Sequence, residues 1–505
     1  MLPAAFYELS QMWQCAIIGI TAGLFTLFWT RPVPRLPPGP RGLPLLGSLL
    51  DLKDDTLETL YDWARYFGPY MTVYKGRVAT IYLNTREAVD EAFVKQQSAF
   101  TARPQSHSVT TMTCGQKGIQ FSDYTPILKH QRKVTSMALR SYTFLSGFHL
   151  EDKIHQSVSK VIELMKTEKT AVDPLPYLAL IDVNIMSGVC FDKTHDVGSN
   201  DFRKFMALLD DYNKLTESFF WEDIIPPLKW LPTPRFNKMV TTVKRLKKYI
   251  EKRVEIHKET FNPENIRDVL DAILLSQLED EEEEVEHSQR LTDDHVVHTI
   301  LDMFNAGNGP VRLTLSWTLL YLAVHQDIQE RVHQELDEVL ESRCMANLVD
   351  RPYLSYLQAV IYESMRLSTV VPFGLPHRAM KDAKIGGLST GHYDVPKNSN
   401  VLINHWAIHR DPDQWEDPAT FKPERFLTEE GKVKTTITHF LPFSVGRRAC
   451  LGEYLAKPEL HLIMAGLLKN FHISPEDGVK PSLEPNFKAD KNMPKDYKLI
   501  FKVRS

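Results

Sequence analysis

The segment 443–452 places a cysteine, Cys450, directly before a helix predicted to begin near residue 451. The first turn of a helix presents unpaired backbone N–H groups and a partial positive charge. Both favour a thiolate over a thiol, so Cys450 is predicted to be an anionic ligand for a soft or borderline metal. Gly446 allows a tight turn and close approach to a flat partner. Arg448 is placed to pair with an anionic group on that partner.

Four positions of this segment, Phe443, Gly446, Arg448 and Cys450, carry the pattern FxxGxRxC, and the segment resembles the haem-binding loop of the cytochrome P450 family. The resemblance implies haem b (iron protoporphyrin IX) with the Cys450 thiolate as the axial ligand of the iron. It also implies a cytochrome P450 fold, mainly α with a small β region, rather than several domains. The alternative is a structural cysteine that follows a surface loop.

A second motif lies upstream, where Glu363 and Arg366 are spaced i, i+3 on a predicted helix and therefore share a face. This spacing is similar to the family's ExxR motif, and the sequence 423–426 resembles its PERF motif. The resemblance implies that Arg425 completes a structural cluster with Glu363 and Arg366. An ordinary surface ion pair is the alternative for Glu363 and Arg366 alone.

The propionates of a haem are anionic and need hydrogen-bond donors. By position, Arg132, His377 and Arg448 match the family's propionate partners. The family usually has a tryptophan at the position of Leu128, so one expected hydrogen bond is missing here. The alternative for Arg132 and His377 is that each is an ordinary surface residue.

The composition fits a globular protein with a large core, because 43% of the 505 residues are hydrophobic and 25% are charged. A formal net charge of −4 gives no indication of a nucleic-acid partner. The five cysteines are Cys15, Cys114, Cys190, Cys344 and Cys450. Their odd number and irregular spacing argue against a disulfide framework and against zinc. We therefore expect the globular part to face a reducing compartment.

The N-terminal stretch between Glu8 and Arg31 contains no charged residue and is long enough to span a bilayer. Trp13 and Trp29 are placed for its two interfaces, and arginines follow on the C-terminal side. We predict that residues 1–30 form a single-pass transmembrane helix in the endoplasmic reticulum membrane, with the catalytic body in the cytosol. A cleaved signal peptide is the alternative.

The proline-rich run at 31–42 is predicted to be a stiff tether, because prolines are not tolerated in the interior of a helix or a sheet. It contains a PPGP sequence similar to that of membrane-bound haem-thiolate enzymes. The remaining residues, 43–505, are predicted to form the haem-thiolate catalytic domain.

Hydrophobic periodicity predicts a helix at 55–66 and strands at 70–74 and 78–83. Three further helices are predicted at 150–167, 202–219 and 241–260. The run 279–286, with seven acids among eight residues, is predicted to be a solvated loop, with protein docking as the alternative.

A long helix is predicted from about residue 291 to about 324, with Thr292 as its N-cap. In oxygen-activating members of the family its centre reads roughly AGxDT or AGxET, and the acid and the threonine relay protons. Here Gly309 and Pro310 stand at those two positions, and neither side chain carries a proton. Thr314 lies a full turn further on, and Pro310 should kink the helix.

The sequence 304–309 resembles instead the FNAxGG segment of allene oxide synthases, epoxyalcohol synthases and hydroperoxide lyases. Their substrates, fatty-acid hydroperoxides, already contain the O–O bond, so neither a reductase nor a proton relay is needed. On this hypothesis Asn305 is catalytic and donates a hydrogen bond to the hydroperoxide. The alternative for Asn305 is an amide that satisfies a carbonyl freed by Pro310.

Two activities therefore compete, both on a small apolar lipid. The first and favoured one is reductase-independent rearrangement of polyunsaturated fatty-acid hydroperoxides, of the epoxyalcohol synthase or allene oxide synthase type. The second is hydroxylation of a steroid, fatty acid or xenobiotic by a monooxygenase that depends on NADPH–cytochrome reductase. A catalytically silent haem or lipid-binding protein is the third possibility.

Overall fold

The computed structural model describes residues 34–43, 46–52, 56–76, 78–144, 150–193, 200–216, 220–224, 226–283, 285–286, 289–386, 391–488 and 491–504. The predicted transmembrane helix at 1–30 and the first three residues of the predicted tether lie outside these ranges. Among the described residues, no helix combines the length and the apolar character needed to cross a membrane. The described part of the tether is irregular, and the Pro38 carbonyl accepts a hydrogen bond from the Thr72 N–H at 2.9 Å.

Helices dominate the described chain. They are α1 (Thr56–Phe67), α2 (Arg86–Val89), α3 (His107–Met112), α4 (Pro126–Phe144), α5 (Leu150–Lys166), α6 (Leu175–Phe191), α7 (Asn200–Thr216), α8 (Trp221–Ile224), α9 (Pro234–Glu259), α10 (Val269–Glu282), α11 (Asp293–Asn308), α12 (Pro310–Val324), α13 (Gln326–Leu340), α14 (Ser355–Ser368), α15 (His405–Ile408) and α16 (Glu453–Asn470). The four helices predicted from periodicity are confirmed as α1, α5, α7 and α9, with shifted ends.

The strands are short. They are β1 (Tyr70–Lys75), β2 (Val78–Leu83), β3 (His377–Arg378), β4 (Ala383–Ile385), β5 (Tyr393–Val395), β6 (Asn400–Ile403), β7 (Phe471–Pro475), β8 (Pro485–Lys488), β9 (Lys491–Pro494) and β10 (Leu499–Val503). The largest sheet has the order β1-β2-β6-β3, in which β2 and β6 are parallel and the other neighbours antiparallel. The predicted fold class, mainly α with a small β region, is confirmed.

The core is built around α11 and α12, whose residues are buried on nearly all sides, as expected of helices at the centre of a large domain. Phe304 of α11 stacks against Phe191 and meets Phe205 edge-on, with ring centroids 5.7 Å and 5.1 Å away. Trp317 of α12 stacks on Tyr321 at 5.4 Å. These contacts fix the helix that carries the candidate catalytic residues.

The predicted long helix is present but divided at Gly309, where α11 ends and α12 begins with Pro310. Proline has no N–H and cannot continue the ladder of hydrogen bonds, which explains the break. At the N-terminus of α11 the Thr292 N–H donates to Nδ1 of His295 at 3.2 Å, which completes a capping box.

The prediction of a solvated loop at 279–286 is wrong in its first half, because α10 continues to Glu282. Asp280 is buried there, with a carboxylate oxygen 3.1 Å from Nε2 of His130. The same side chain accepts a hydrogen bond from the Leu291 N–H at 3.3 Å. These hydrogen bonds compensate the free-energy cost of burying the Asp280 carboxylate. The local composition does not reveal them.

Candidate active site around Cys450

The loop that ends at Cys450 is closed by hydrogen bonds within its own backbone. The Cys450 N–H donates to the Phe443 carbonyl at 2.9 Å, and the Ala449 N–H donates to the Gly446 carbonyl at 3.1 Å. Gly446 has φ +77°, and a Cβ on it would lie 2.2 Å from the carbonyl oxygen of Phe93. The position therefore requires glycine for both its conformation and its close contact.

Helix α16 begins three residues after Cys450, as predicted, and its first residues act on the thiol. Burial among protein atoms raises the pKa of the Cys450 thiol, whereas the Gly452 N–H and the Arg132 side chain lower it. The Cys450 residue is nevertheless exposed and does not belong to the packed core. A cysteine outside the packed core, beside N–H donors and a guanidinium, suits a thiolate ligand.

Two predicted propionate partners lie close to this loop. Arg132, on α4, donates from Nη2 to the Ala449 carbonyl at 2.8 Å. Arg448 is buried and donates to three backbone carbonyls, those of Thr101, Ile119 and Ser122. Burial, with the positive charge of Arg132, lowers the pKa of Arg448 to about 10.

The third predicted partner, His377, lies on β3 and is buried, not on the surface. Its Nδ1 is 2.6 Å from the Phe100 carbonyl, and its ring stacks on Phe93 at 4.0 Å. Burial, followed by the positive charge of Arg103, lowers its pKa well below the ordinary value. Because Nδ1 donates to this carbonyl, Nε2 of the neutral imidazole is an acceptor, and it would donate to a propionate only from a protonated ring.

Arg103 is a site residue that the sequence reasoning missed. It is buried and donates to the carbonyls of Gln120, Leu375 and Pro376, at 2.9, 3.1 and 3.0 Å. Burial, together with the charges of Arg448 and Arg132, lowers its pKa well below the ordinary value. No local pattern in the sequence marks this arginine, because its partners are 17 to 273 residues away.

The predicted structural cluster of Glu363, Arg366 and Arg425 is brought together by α14 and the 3₁₀ turn Pro423–Phe426. Arg366 donates to both oxygens of Glu363, at 2.7 and 2.8 Å, and Nε of Arg425 donates to Glu363 Oε1 at 3.0 Å. Arg366 also donates to the carbonyls of His409 and Pro418, at 2.7 and 2.9 Å. The cluster therefore ties α14 to the chain that leads into the cysteine loop.

At the centre of the long helix, Ala306 is exposed and Asn305 is partly buried, although the turns on both sides are buried. The Asn305 Oδ1 is buried and accepts no hydrogen bond from any described residue. Thr314 is buried and donates to the Pro310 carbonyl at 2.8 Å. Its hydroxyl is thus engaged within α12 and does not replace the missing threonine.

The helical fold, the glycine-dependent cysteine loop and the Glu363 cluster define a haem-thiolate class of protein. A family profile described as cytochrome P450 matches residues 37–501, and the chain belongs to this family. It is 32% identical to cytochrome P450 1A5 of Gallus gallus over 463 residues, which cover 89% of this chain and 86% of that protein. Cytochrome P450 1A1 of Platichthys flesus is 31% identical over 462 residues, covering 89% and 87%. Cytochrome P450 1A1 of Rattus norvegicus is 29% identical over 473 residues, covering 92% and 89%.

Members of this family bind haem through a cysteine thiolate, and the residues here fit that cofactor. Arg103, Arg132 and Arg448 form a cationic group beside the Cys450 loop. Their side chains donate to backbone carbonyls, and no described carboxylate lies within ion-pair distance of any of the three guanidinium groups. Buried cations are stable only when an anion compensates them, and two propionate carboxylates meet that requirement.

Proposed function

We propose that this protein is a monooxygenase that receives electrons from NADPH–cytochrome reductase and hydroxylates a small apolar lipid or lipid-like molecule. The observation that carries the proposal is the match to the P450 family over 37–501, together with relatives that are animal cytochrome P450 1A proteins. These relatives favour this activity over the rearrangement of hydroperoxides that the sequence analysis put first. We further propose that the protein is anchored in the endoplasmic reticulum membrane by residues 1–30.

Each site residue has a role in this proposal. Cys450 supplies the thiolate that binds the haem iron, and Gly446 and Phe443 shape the loop that presents it. Arg132 and Arg448 hold the propionates, with Arg103 as a third donor beside them, and His377 joins them where the charge of a bound propionate keeps its ring protonated. The haem, when bound, supplies the redox chemistry. The face of α11 that carries Ala306 borders the space in which the substrate lies.

The test is a reconstitution of the full-length, haem-loaded protein with reductase and NADPH. Panels of fatty acids, steroids and planar xenobiotics are incubated, and hydroxylated products are measured by mass spectrometry. NADPH-dependent hydroxylation is the expected result. Cys450→Ser should abolish it, together with the red-shifted absorbance that thiolate ligation gives the reduced carbonyl complex. A wild-type protein that consumes no NADPH with any lipid would overturn the proposal.

A second candidate function, the rearrangement of fatty-acid hydroperoxides, is favoured by a specific observation. Gly309 and Pro310 carry no titratable group, and Asn305 on α11 has a buried Oδ1 that no described residue binds. In this reaction the substrate supplies the O–O bond, and Asn305 donates a hydrogen bond to it.

The two functions are separated by adding a linoleate hydroperoxide without NADPH or reductase. Rapid formation of epoxyalcohols, allene-oxide products or aldehydes would support the second candidate. Asn305→Ala should then reduce that conversion at least about tenfold while haem content is unchanged, since one hydrogen bond to the reacting group is lost. Slow conversion that Asn305→Ala does not alter would exclude it.

A further inference from the structure

A cleft with a volume of about 470 Å³ lies beside the Glu363 cluster, and Arg425 of that cluster is part of its lining. Its walls come from three segments of the chain, within 414–416, 422–425 and 434–439. Small-molecule sites in proteins have volumes of about 300–1,000 Å³, so the 414–439 cleft is large enough for a ligand. None of the residues assigned to the haem lines it, so a ligand bound here is not the substrate.

The 414–439 cleft combines buried and exposed side chains. The Arg425 side chain is only 8% exposed, and Trp415 is buried, with its Nε1 donating to the Ile408 carbonyl at 3.0 Å. Lys422 and Lys434, in contrast, are exposed. A ligand can therefore enter from solvent and still reach a group that the protein holds in a fixed position.

The Glu363 cluster next to the cleft contains two cations and one anion. Arg366 and Arg425 both bind the Glu363 carboxylate, and no other described carboxylate lies within ion-pair distance of either guanidinium group. One positive charge of the cluster is therefore uncompensated, and a buried cation is stabilised by a nearby anion. The remaining hydrogen bonds of Arg425 go to neutral backbone carbonyls, those of Glu416, Asp417 and Thr420.

The acids that line the cleft do not supply the missing negative charge. Glu416 pairs with Lys422 at 3.1 Å, and Glu424 pairs with Arg331. No described carboxylate lies within ion-pair distance of Lys434, whose Nζ donates to a backbone carbonyl of the Pro423–Phe426 turn at 2.9 Å. An ammonium group has three N–H donors. Each of the two lysines therefore keeps two donors that no described residue accepts.

We propose that the 414–439 cleft binds a small anion with two or more phosphate groups, held by Lys422, Lys434 and the uncompensated charge beside Arg425. Lysine binds phosphate as a point charge, whereas an open guanidinium fork suits the planar carboxylate. The fork of Arg425 is already occupied, so the available donors are those of the lysines, which favours phosphate. The size of the cleft favours more than one phosphate group. This inference is independent of the proposed monooxygenase activity.

A purely structural role for the two lysines makes a different prediction. Lys434 holds the Pro423–Phe426 turn through its hydrogen bond, so Lys434→Met lowers Tm in either case. Glu416→Gln separates the two roles, because it breaks the ion pair with Lys422 and frees this ammonium group for a ligand. An anion site therefore requires that the loss of this acid strengthens binding, which a structural role does not.

The experiment is a calorimetric titration of the full-length ferric haem protein with inorganic pyrophosphate, at constant ionic strength and without divalent cations. Wild type should bind one pyrophosphate per chain. Lys422→Met and Lys434→Met should each raise Kd by about tenfold, since each removes a charge-assisted hydrogen bond. Glu416→Gln should lower Kd by about threefold, the effect of releasing one exposed ion pair.

Lys432→Met is the matched control, because Lys432 is an exposed lysine two residues before Lys434 that does not line the cleft. It removes the same charge from the same segment and should leave Kd within about twofold of wild type. An equal loss of affinity in Lys432→Met and Lys434→Met would show that pyrophosphate responds only to overall charge, and would overturn the site. Absence of saturable binding, or a Kd that Glu416→Gln does not lower, would also overturn it. Tighter binding of citrate than of pyrophosphate would overturn the assignment to phosphate.

Discussion

Asp302, on α11, accepts hydrogen bonds from the backbone N–H groups of Ile119, at 2.5 Å, and of Gln120, at 3.0 Å. The carbonyls of the same two residues accept hydrogen bonds from Arg448 Nη1, at 3.2 Å, and from Arg103 Nε, at 2.9 Å. One carboxylate on the long helix therefore fixes the loop that both buried arginines hold. This relationship connects α11 to the cationic group beside the Cys450 loop.

The first prediction follows from the burial of that carboxylate. Burial raises the pKa of Asp302 to about 6, from an ordinary value of 3.8, although the two N–H donors lower it. Between these values the folded protein binds a proton that the unfolded chain has released, so the contribution of Asp302 to stability falls as pH rises. Asp302→Asn keeps an acceptor oxygen and removes the titration. The free energy of unfolding of the variant, relative to wild type, should increase by about 2 kcal/mol from pH 4 to pH 6.

This is measured by urea denaturation followed by circular dichroism at several pH values. Asp302→Ala serves as the control, because it removes the acceptor as well and should be less stable than Asp302→Asn throughout. Parallel pH profiles for wild type and Asp302→Asn would show that the carboxylate does not titrate in this window.

The second prediction concerns Gly446→Ala. Its Cβ would lie 2.2 Å from the Phe93 carbonyl at φ +77°, so the cysteine loop has to move. Gly431→Ala is the matched control, because Gly431 has φ +73° but no atom within 4 Å of the added Cβ. The control should cost about 1 kcal/mol of stability from backbone strain alone. Gly446→Ala should cost more and lower the haem content per protein, read from the absorbance ratio of haem to protein. Equal haem content in both variants would contradict the prediction.

The third prediction concerns Glu363→Gln. Arg366 and Glu363 are fully buried, and Arg425 shares the same carboxylate. Removing the negative charge leaves two arginines uncompensated, which should destabilise the protein by about 3–5 kcal/mol. Glu163→Gln is the control, since Glu163 pairs with Lys166 at 2.8 Å but is 71% exposed. That change should cost less than about 1 kcal/mol. Similar Tm values for the two variants would refute the structural importance of the cluster.

The sequence predicted the fold because its motifs and periodicities are local. The spacing of Glu363 and Arg366, the turn before Cys450 and the break at Pro310 can each be recognised within a few residues. The bounds of β2 agree with the prediction, and α5 ends one residue before its predicted end. Local signals of this kind determine elements and their order.

The residues that were missed depend on distant partners. Asp302 looks like one of many acids on a helix, and its partners, Ile119 and Gln120, lie more than 180 residues away. Arg103 likewise has its role only through the distant carbonyls to which it donates. Composition predicts a solvated run at Asp280, because it does not reveal the partly exposed His130 that pairs with this acid. Residues whose role depends on tertiary contacts can be identified only once the structure is known.

A further cluster lies away from the site, between the end of α9 and the start of α10. Nε2 of His257 is 3.0 Å from Asp268 Oδ2 and 2.9 Å from Asp271 Oδ1. Arg267 donates to both oxygens of Asp271, at 2.7 and 3.0 Å. The His257 imidazole and the carboxylates of Asp268 and Asp271 have ligand atoms that all lie within 4.8 Å of one another. The Arg267 guanidinium, however, already supplies the positive charge that a metal ion would bring. The arrangement is therefore an ion-pair network that joins two helices.

The fourth prediction is a loss of stability at high pH through this network. Burial lowers the pKa of His257, but its hydrogen bonds to Asp268 and Asp271 outweigh burial and raise it to about 9, from an ordinary value of 6.5. The protonated ring therefore contributes its full stabilisation below about pH 6.5 and loses it as pH rises through about 9. His257→Gln removes the charge, so wild type should exceed the variant by about 2 kcal/mol at pH 6, after a discount for solvent screening. The difference should shrink steadily up to pH 9 in denaturant titrations, and a difference that stays constant across this range would show that His257 is neutral in the folded protein.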